Sequence, residues 1–226
     1  MASNIIVAGG DGALGRAVVA ELAARGTTVA VVDFAPSPDA SVAKLAIGGV
    51  DLADEAAVSA AYGQVAKELG SVDGLVNVAG GFVCELFEGG SLDQWDRMYR
   101  MNVRTAATSC RAALPHLLAS RGSIVNIGAA SAANAAAGMA PYAASKAGVM
   151  ALTESLADEL RAKGVRVNAL LPTIIDTPTN RADMPDADPA KWVQPGDAAK
   201  AAAFLLSADA AAITGVGIKL SLGLSA

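Results

Sequence analysis

The chain predicts an α/β architecture: a doubly wound parallel sheet of about seven strands with helices on both faces. Three observations carry this. A helical pattern, a glycine and a short β-branched run recur in that order four times. Each β-branched run is apolar almost throughout, as a parallel strand covered on both faces must be. No linker or low-complexity segment interrupts the alternation, so residues 1–226 are expected to form one domain.

Taken in order, "AVVAELAARG" leads to "TTVAVVD" and "VSAAYGQVAKELG" to "SVDGLVNVAG". "ALPHLLASRG" then leads to "SIVNIG", and "LTESLADELRAKG" to "VRVNALLP". Gly26, Gly70, Gly122 and Gly164 stand where a helix end calls for a left-handed residue. The one sizeable loop-like block, "TPTNRADMPDADPAKWVQP" at 177–195, has the prolines and acids of a substrate lid or of a plain surface loop.

The chain is 53% hydrophobic but 4% aromatic, so its core must come from Ala, Val, Leu and Ile, with 23 glycines permitting close backbone approach. A net charge of −5 without a basic block argues against nucleic acid. Cys84 and Cys110 make no disulfide framework and fit a reducing, cytoplasmic setting. The opening "MASNIIVAGGDG" lacks the basic start of a signal peptide. Residues 122–145 carry no charge over a span long enough to cross a bilayer. Asn126, Asn134 and Pro141 interrupt that span, and a buried strand, loop and helix start are expected there instead. No metal site and no membrane contact are expected.

The first strand, "NIIVA", runs into "GGDGALGRA" and a helix. Such a turn presents backbone N–H groups to a pyrophosphate, and Gly9, Gly12 and Gly15 suit close approach. Asp33 ends the second strand eighteen residues beyond Gly15. A carboxylate there accepts hydrogen bonds from an adenosine ribose and repels a 2′-phosphate; a solvated strand-end aspartate is the alternative. No cation follows in "DFAPSPDAS", so NAD is expected over NADP.

In "IGAASAANAAAGMAPYAASK", Tyr142 and Lys146 lie four apart and would share one helix face. A free phenol titrates near 10. An ammonium beside it favours phenolate, and lowering it by three units would take about 4 kcal/mol. The pair is thus expected to move a proton while a nicotinamide exchanges hydride; a merely packed helix face is the alternative.

The whole chain resembles the short-chain dehydrogenase/reductase family. That family's markers appear here as "AGGDGALG", "NVAG", Asn102 in "MNV", "YAASK" and "LPTIIDT". The resemblance implies a Rossmann-like fold and an NAD(P)-dependent oxidoreductase. It implies catalytic roles for Tyr142, Lys146 and Asn102, with Asn102 anchoring a water and Lys146 also holding the nicotinamide ribose. Asp51 and Leu52 would flank the adenine, Asn77, Ala79 and Gly80 would line the cleft, and Thr177 would approach the carboxamide. Leu14 and Pro172 fall within the same cofactor motifs. There are departures: Ala8 replaces the turn threonine, Ala13 the middle glycine, Val78 the second asparagine and Thr173 the glycine after Pro172. The family's catalytic serine, thirteen residues before the tyrosine, is Ala129 here; Ser131 is a possible substitute or an ordinary loop serine.

Within the family, the dihydropteridine reductase branch is similar in its "GG-x-GALG" turn, its "VAGG" with a following aromatic, its missing serine and "DTPTNRADMPDADPAKW". The resemblance implies a flat acceptor such as a quinonoid dihydropteridine or a quinone, which spreads charge and depends less on a dedicated oxygen donor. Phe82 would stack on such a ring, unless it is a core or lid contact. A carbonyl or hydroxyl oxidoreductase and a non-catalytic dinucleotide-binding regulator are the alternatives. Ala143, Ala144, Ala147 and Gly148 would let their helix lie close to the cofactor and its neighbours. That helix and the one at 103–119 are where the family pairs subunits, so a homodimer or homotetramer is expected.

Overall fold

The computed structural model describes residues 3–221; the extreme ends of the expected 1–226 domain lie outside the described residues. The strands are β1 (Asn4–Ala8), β2 (Thr28–Val32), β3 (Leu45–Ile47), β4 (Gly74–Asn77), β5 (Ser123–Ile127), β6 (Arg166–Pro172) and β7 (Gly217–Leu220). They form one sheet in the order β3-β2-β1-β4-β5-β6-β7, every neighbouring pair parallel. The fold is therefore the doubly wound, Rossmann-like one. The order reverses between β1 and β4, and the crevice outside the carboxyl ends of those two strands is the natural ligand position.

Helices α1 (Ala13–Ala24) and α7 (Pro195–Leu206) cover one face. On the other lie α2 (Glu55–Leu69), α4 (Thr105–Ser120) and α5 (Ala140–Leu160). Short helices α3 (Leu92–Met98) and α6 (Pro178–Asp183) sit in the loops at the carboxyl end of the sheet. Both apolar layers are aliphatic, and Tyr62 is the largest fully buried side chain. The strands β3 and β7 leave no strong sequence signal because they are short, partly exposed edge strands.

Gly70 and Gly164 end their helical segments in the left-handed conformation, and Gly26 adopts it one residue past the cap of α1. Gly122 does not. The left-handed residue closing α4 is Arg121, at φ 55°. Gly122 is needed for a different reason: a Cβ there would strike the Asp73 carbonyl and lie 2.8 Å from the Leu117 side chain. The charge-free stretch 122–145 becomes β5, a short 3-10 turn (Ala130–Ala132) and the start of α5. Among the described residues no helix is long and apolar enough to cross a membrane.

Candidate active site

The turn after β1 crosses the connection after β4. Gly9 has φ +80°, and a Cβ on it would lie 2.5 Å from the Ala79 amide nitrogen. A side chain on Gly15 would strike the Gly9 carbonyl, so α1 can start only with glycine there. Gly12 differs from expectation. Its φ is −69°, and the nearest atom to an added Cβ is the Gly9 oxygen at 3.8 Å. The space over Gly12 faces outward, where the first turn of α1 offers N–H groups with no intrahelical partner. Gly10 was not singled out in the sequence, yet an added Cβ would lie 2.8 Å from Val31. Leu14 and Leu52 turn their side chains into the two apolar layers, leaving only their backbones to face the crevice.

Asp33 accepts from the Asp11 amide through Oδ2 and from the Ala35 amide through Oδ1, both at 2.9 Å. Phe34 beside it is 72% exposed. No cation follows Asp33 in its own loop, but one stands at the glycine turn, whose Asp11 amide donates to Asp33. Arg16, on α1, donates to the Asp11 carbonyl at 2.8 Å and to Asp11 Oδ1 at 2.9 Å. Asp11 is tied in turn to Asp33, because the turn and the β2 end converge in the fold. Asp51 accepts from the Ala53 amide at 2.9 Å and from Arg100 at 2.6 Å. Asn77 corrects another expectation: its side chain points into the interior. It donates to Asn126 Oδ1 at 2.8 Å and Cys110 Sγ at 3.3 Å, and Asn126 donates onward to Thr153 at 2.9 Å. Asn77 and Asn126 are register partners on β4 and β5, so this chain of amides ties the sheet to α5.

At the end of β5, Ala129 is buried in extended backbone (φ −158°, ψ 148°), and Ser131 follows on the partly buried 3-10 turn. Tyr142 and Lys146 project from the first turns of α5. Lys146 Nζ is buried, donates to the Ile127 carbonyl at 2.8 Å, and lies 5.9 Å from the centre of the Tyr142 ring. Burial pulls this ammonium down to about 8. Burial also pushes the Tyr142 phenol up to about 12, the reverse of the lowering expected from the neighbouring charge. The cause is desolvation: the ring is largely enclosed, and the ammonium is drawn toward a backbone carbonyl.

Asn102 lies in a π turn, Tyr99–Arg104, instead of a regular helix. Its amide clasps one residue: Oδ1 accepts from the Gly81 nitrogen at 3.0 Å while Nδ2 donates to the Gly81 oxygen at 3.1 Å. The same Nδ2 donates to Ser145 Oγ at 2.9 Å, and Ser145 donates to the Tyr142 carbonyl at 2.7 Å. Ser145 thus joins Asn102 to Tyr142, a link that spacing along the chain does not reveal. Gly80 lies between, where a Cβ would come within 2.6 Å of Asn102 Oδ1 and 3.2 Å of Lys146 Nζ. Phe82 is 47% exposed and meets the Tyr142 ring edge-on, centroids 4.9 Å apart. The four small residues of α5 divide: Ala143 faces inward, Gly148 packs against Val103, and Ala144 and Ala147 are exposed.

Pro172 closes β6 and is buried. Thr177 caps α6, its hydroxyl accepting from Asn180 N at 3.2 Å. The 177–195 block therefore contains a short helix and a 3-10 turn, Pro189–Lys191, and is pinned at both ends. Ile175 bridges to Val193, Trp192 and Val193 are buried, and Asp176 holds Arg181 at 2.6 and 2.8 Å. The Arg181 guanidinium keeps the Asp176 carboxyl below its usual range.

A parallel sheet with a glycine turn at its reversal point, and a buried lysine one helical turn from a tyrosine, define a dinucleotide-dependent oxidoreductase. The residues fit such a cofactor: Gly12 leaves open space over helix-start amides, and Lys146 Nζ keeps donors unused beside the exposed Gly80. The short chain dehydrogenase family model matches residues 3–188, and the chain belongs to that family. It is an NAD(P)-dependent dehydrogenase or reductase. It is 30% identical over 236 residues to meso-2,3-butanediol dehydrogenase of Serratia marcescens, covering 98% of this chain and 94% of that protein. With 2-(R)-hydroxypropyl-CoM dehydrogenase of Xanthobacter autotrophicus it shares 34% over 203 residues, 82% of this chain and 80% of that one. Among solved structures, 3-ketoacyl-(acyl-carrier-protein) reductase from Brucella melitensis complexed with NADH superposes with a TM-score of 0.87 at 29% identity. That match covers 99% of this chain and 98% of the other.

Proposed function

We propose that this chain reduces a small flat acceptor with NADH, the acceptor being a quinonoid dihydropteridine or a related quinone-like compound. The observation that carries this reading is the half-exposed Phe82 ring set edge-on to Tyr142, 4.9 Å away, with a buried methyl group at Ala129 in place of a hydroxyl donor. A flat conjugated ring would be gripped by aromatic surface and would spread its developing charge over itself. The branch-like "DTPTNRADMPDADPAKW" segment, acting as the lid, supports the same class of acceptor.

The cofactor, when bound, supplies the hydride. Gly9, Gly12 and Gly15 with the amides of Leu14 and the α1 start receive its diphosphate, and Asp33 its adenosine ribose. Asp51 and the Leu52 backbone border the adenine, while Ala79, Gly80, Pro172 and Thr177 border the nicotinamide end. Lys146 donates to the nicotinamide ribose. Tyr142, protonated at neutral pH in the protein alone, donates its proton to the acceptor; this direction suits reduction. Asn102, clasping Gly81 and bonded through Ser145 to the Tyr142 carbonyl, sets the depth of the tyrosine and anchors the water that resupplies it. The exposed Ala144 and Ala147 offer a flat face for pairing subunits into a homodimer or homotetramer in the cytoplasm.

A second reading, reduction of a carbonyl or oxidation of a hydroxyl, is favoured by Ser131 beside Ala129 and by the alcohol substrates in the names of the relatives. Ala129→Ser separates the two. With a delocalised acceptor, turnover should stay within a few-fold; with a carbonyl, the restored donor should raise it by up to about 10²-fold. The assay is NADH oxidation with chemically generated quinonoid dihydropterin, run beside ketones and quinones. Turnover of no acceptor, with NADH binding intact, would leave a dinucleotide-binding regulator.

The cofactor preference has its own test. NADH should bind at least about tenfold more tightly than NADPH in fluorescence titration, because the Asp33 carboxylate would accept from the ribose and repel a 2′-phosphate. Equal affinities would remove Asp33 from that contact.

A further inference from the structure

We propose that Asp11 is a second determinant of cofactor choice, holding Arg16 in an ion pair that withholds its guanidinium from the 2′-phosphate of NADPH. The proposal rests on the reading that Asp33 receives the adenosine ribose. Arg16, on α1, is the cation tied to Asp11, the residue whose amide donates to Asp33. Two of its donors are committed to the same residue, Nε to the Asp11 carbonyl at 2.8 Å and Nη2 to Asp11 Oδ1 at 2.9 Å. Asp11 itself is fixed from three sides. Its Oδ1 also accepts from the Asp39 amide at 3.0 Å, and its own amide donates to Asp33 Oδ2 at 2.9 Å. Only 19% of its side chain is exposed, against 58% for Arg16.

Arg16, Asp11 and Asp33 therefore form one connected chain, from a half-free guanidinium to the carboxylate that meets the ribose. A planar guanidinium is well suited to a phosphate, which it grips through two parallel N–H bonds. Here one edge already faces a carboxylate, so serving a phosphate would mean breaking a charge-assisted pair next to two acids. A 2′-phosphate arriving at Asp33 would meet the negative charge of Asp11 and Asp33 with the nearby positive charge already neutralised. The loop after Asp33 is part of the same arrangement, because the Asp39 amide shares the oxygen that holds Arg16.

The test is titration of the full chain with NADH and with NADPH for wild type, Asp11→Asn, Arg16→Gln and the double variant, with folding checked by circular dichroism. Asp11→Asn should raise the ratio of NADPH to NADH affinity roughly three- to fivefold. The double variant should return the ratio to that of the wild type, because the gain comes from Arg16. Arg16→Gln alone should leave it within about twofold, since the guanidinium is withheld in the wild type. An unchanged ratio in Asp11→Asn overturns the proposal, as does a gain that survives in the double variant. If Asp11→Asn does not fold, Asp11→Ser replaces it in the single and the double variant, and the same two outcomes decide. A wild type that binds both cofactors equally would refute the Asp33 reading. The role of Asp11 would still be judged by the difference between its single and double variants.

Discussion

Tyr142→Phe should lower turnover by roughly 10²-fold or more while fold and NADH affinity persist. The ring would still pack edge-on against Phe82, and the hydrogen bond from Ser145 is to the Tyr142 backbone carbonyl. What disappears is the hydroxyl, the proton donor beside the acceptor position. Single-turnover kinetics with saturating NADH isolates that step. A rate like the wild type's would end the proton-donor role, whichever acceptor is reduced. A lost melting transition would instead assign the hydroxyl to packing.

Lys146→Met should have opposite effects on activity and stability. Turnover and NADH affinity should both fall, turnover by about 10²-fold or more, since the ammonium is the donor proposed for the nicotinamide ribose. The cofactor-free protein should nevertheless become more stable at pH 7. Burial holds the lysine at about 8 against a usual 10.5, a difference corresponding to about 3 kcal/mol of cost for keeping its charge inside. Losing the 2.8 Å bond to the Ile127 carbonyl returns about 1 kcal/mol, so a net gain of about 1–2 kcal/mol is expected in urea denaturation. The sign follows from proton counting. Below pH 8 both folded and unfolded chains carry the lysine proton, and the full cost is present. Between about pH 8 and 10.5 the unfolded chain binds more protons, so wild-type stability from this group rises with pH. The advantage of Lys146→Met should therefore shrink toward pH 10. In the active enzyme the same titration should make kcat/KM for NADH fall above about pH 8, a decline that Lys146→Arg, charged throughout, should lack. A wild-type profile flat from pH 7 to 9.5 would contradict the assigned role.

Much of the fold was legible because parallel strands buried on both faces leave near-continuous apolar runs, and "SIVNI" and "GLVN" are buried at every position. The strands "LAI" and "GIKL" escaped notice, since edge strands are short and only partly covered. Among the candidate site residues, Tyr142, Lys146 and Asp33 stand out in the sequence because each sits at a fixed offset from a recognisable turn or helix start. The Gly81 clasp on Asn102, the bond from Asn102 to Ser145 and the bond from the Asp11 amide to Asp33 do not, because each partner is chosen by the crossing of separate segments.

By itself the sequence determined the class of architecture, the glycine turn, the acid at the end of β2 and the residues available for proton transfer. These depend on local periodicity, backbone freedom and side-chain chemistry, all written within a few residues. The tertiary structure alone decided their state. It raised the Tyr142 phenol and lowered the Lys146 ammonium, because burial removes water from both and turns the ammonium toward Ile127. It gave the left-handed position at the end of α4 to Arg121, since Gly122 was required against Asp73. It also turned Asn77 inward to Asn126 and joined the amide of Asp11 in the turn to Asp33 past the end of β2. Desolvation and close approach depend on what comes near in space, and spacing along the chain does not encode that.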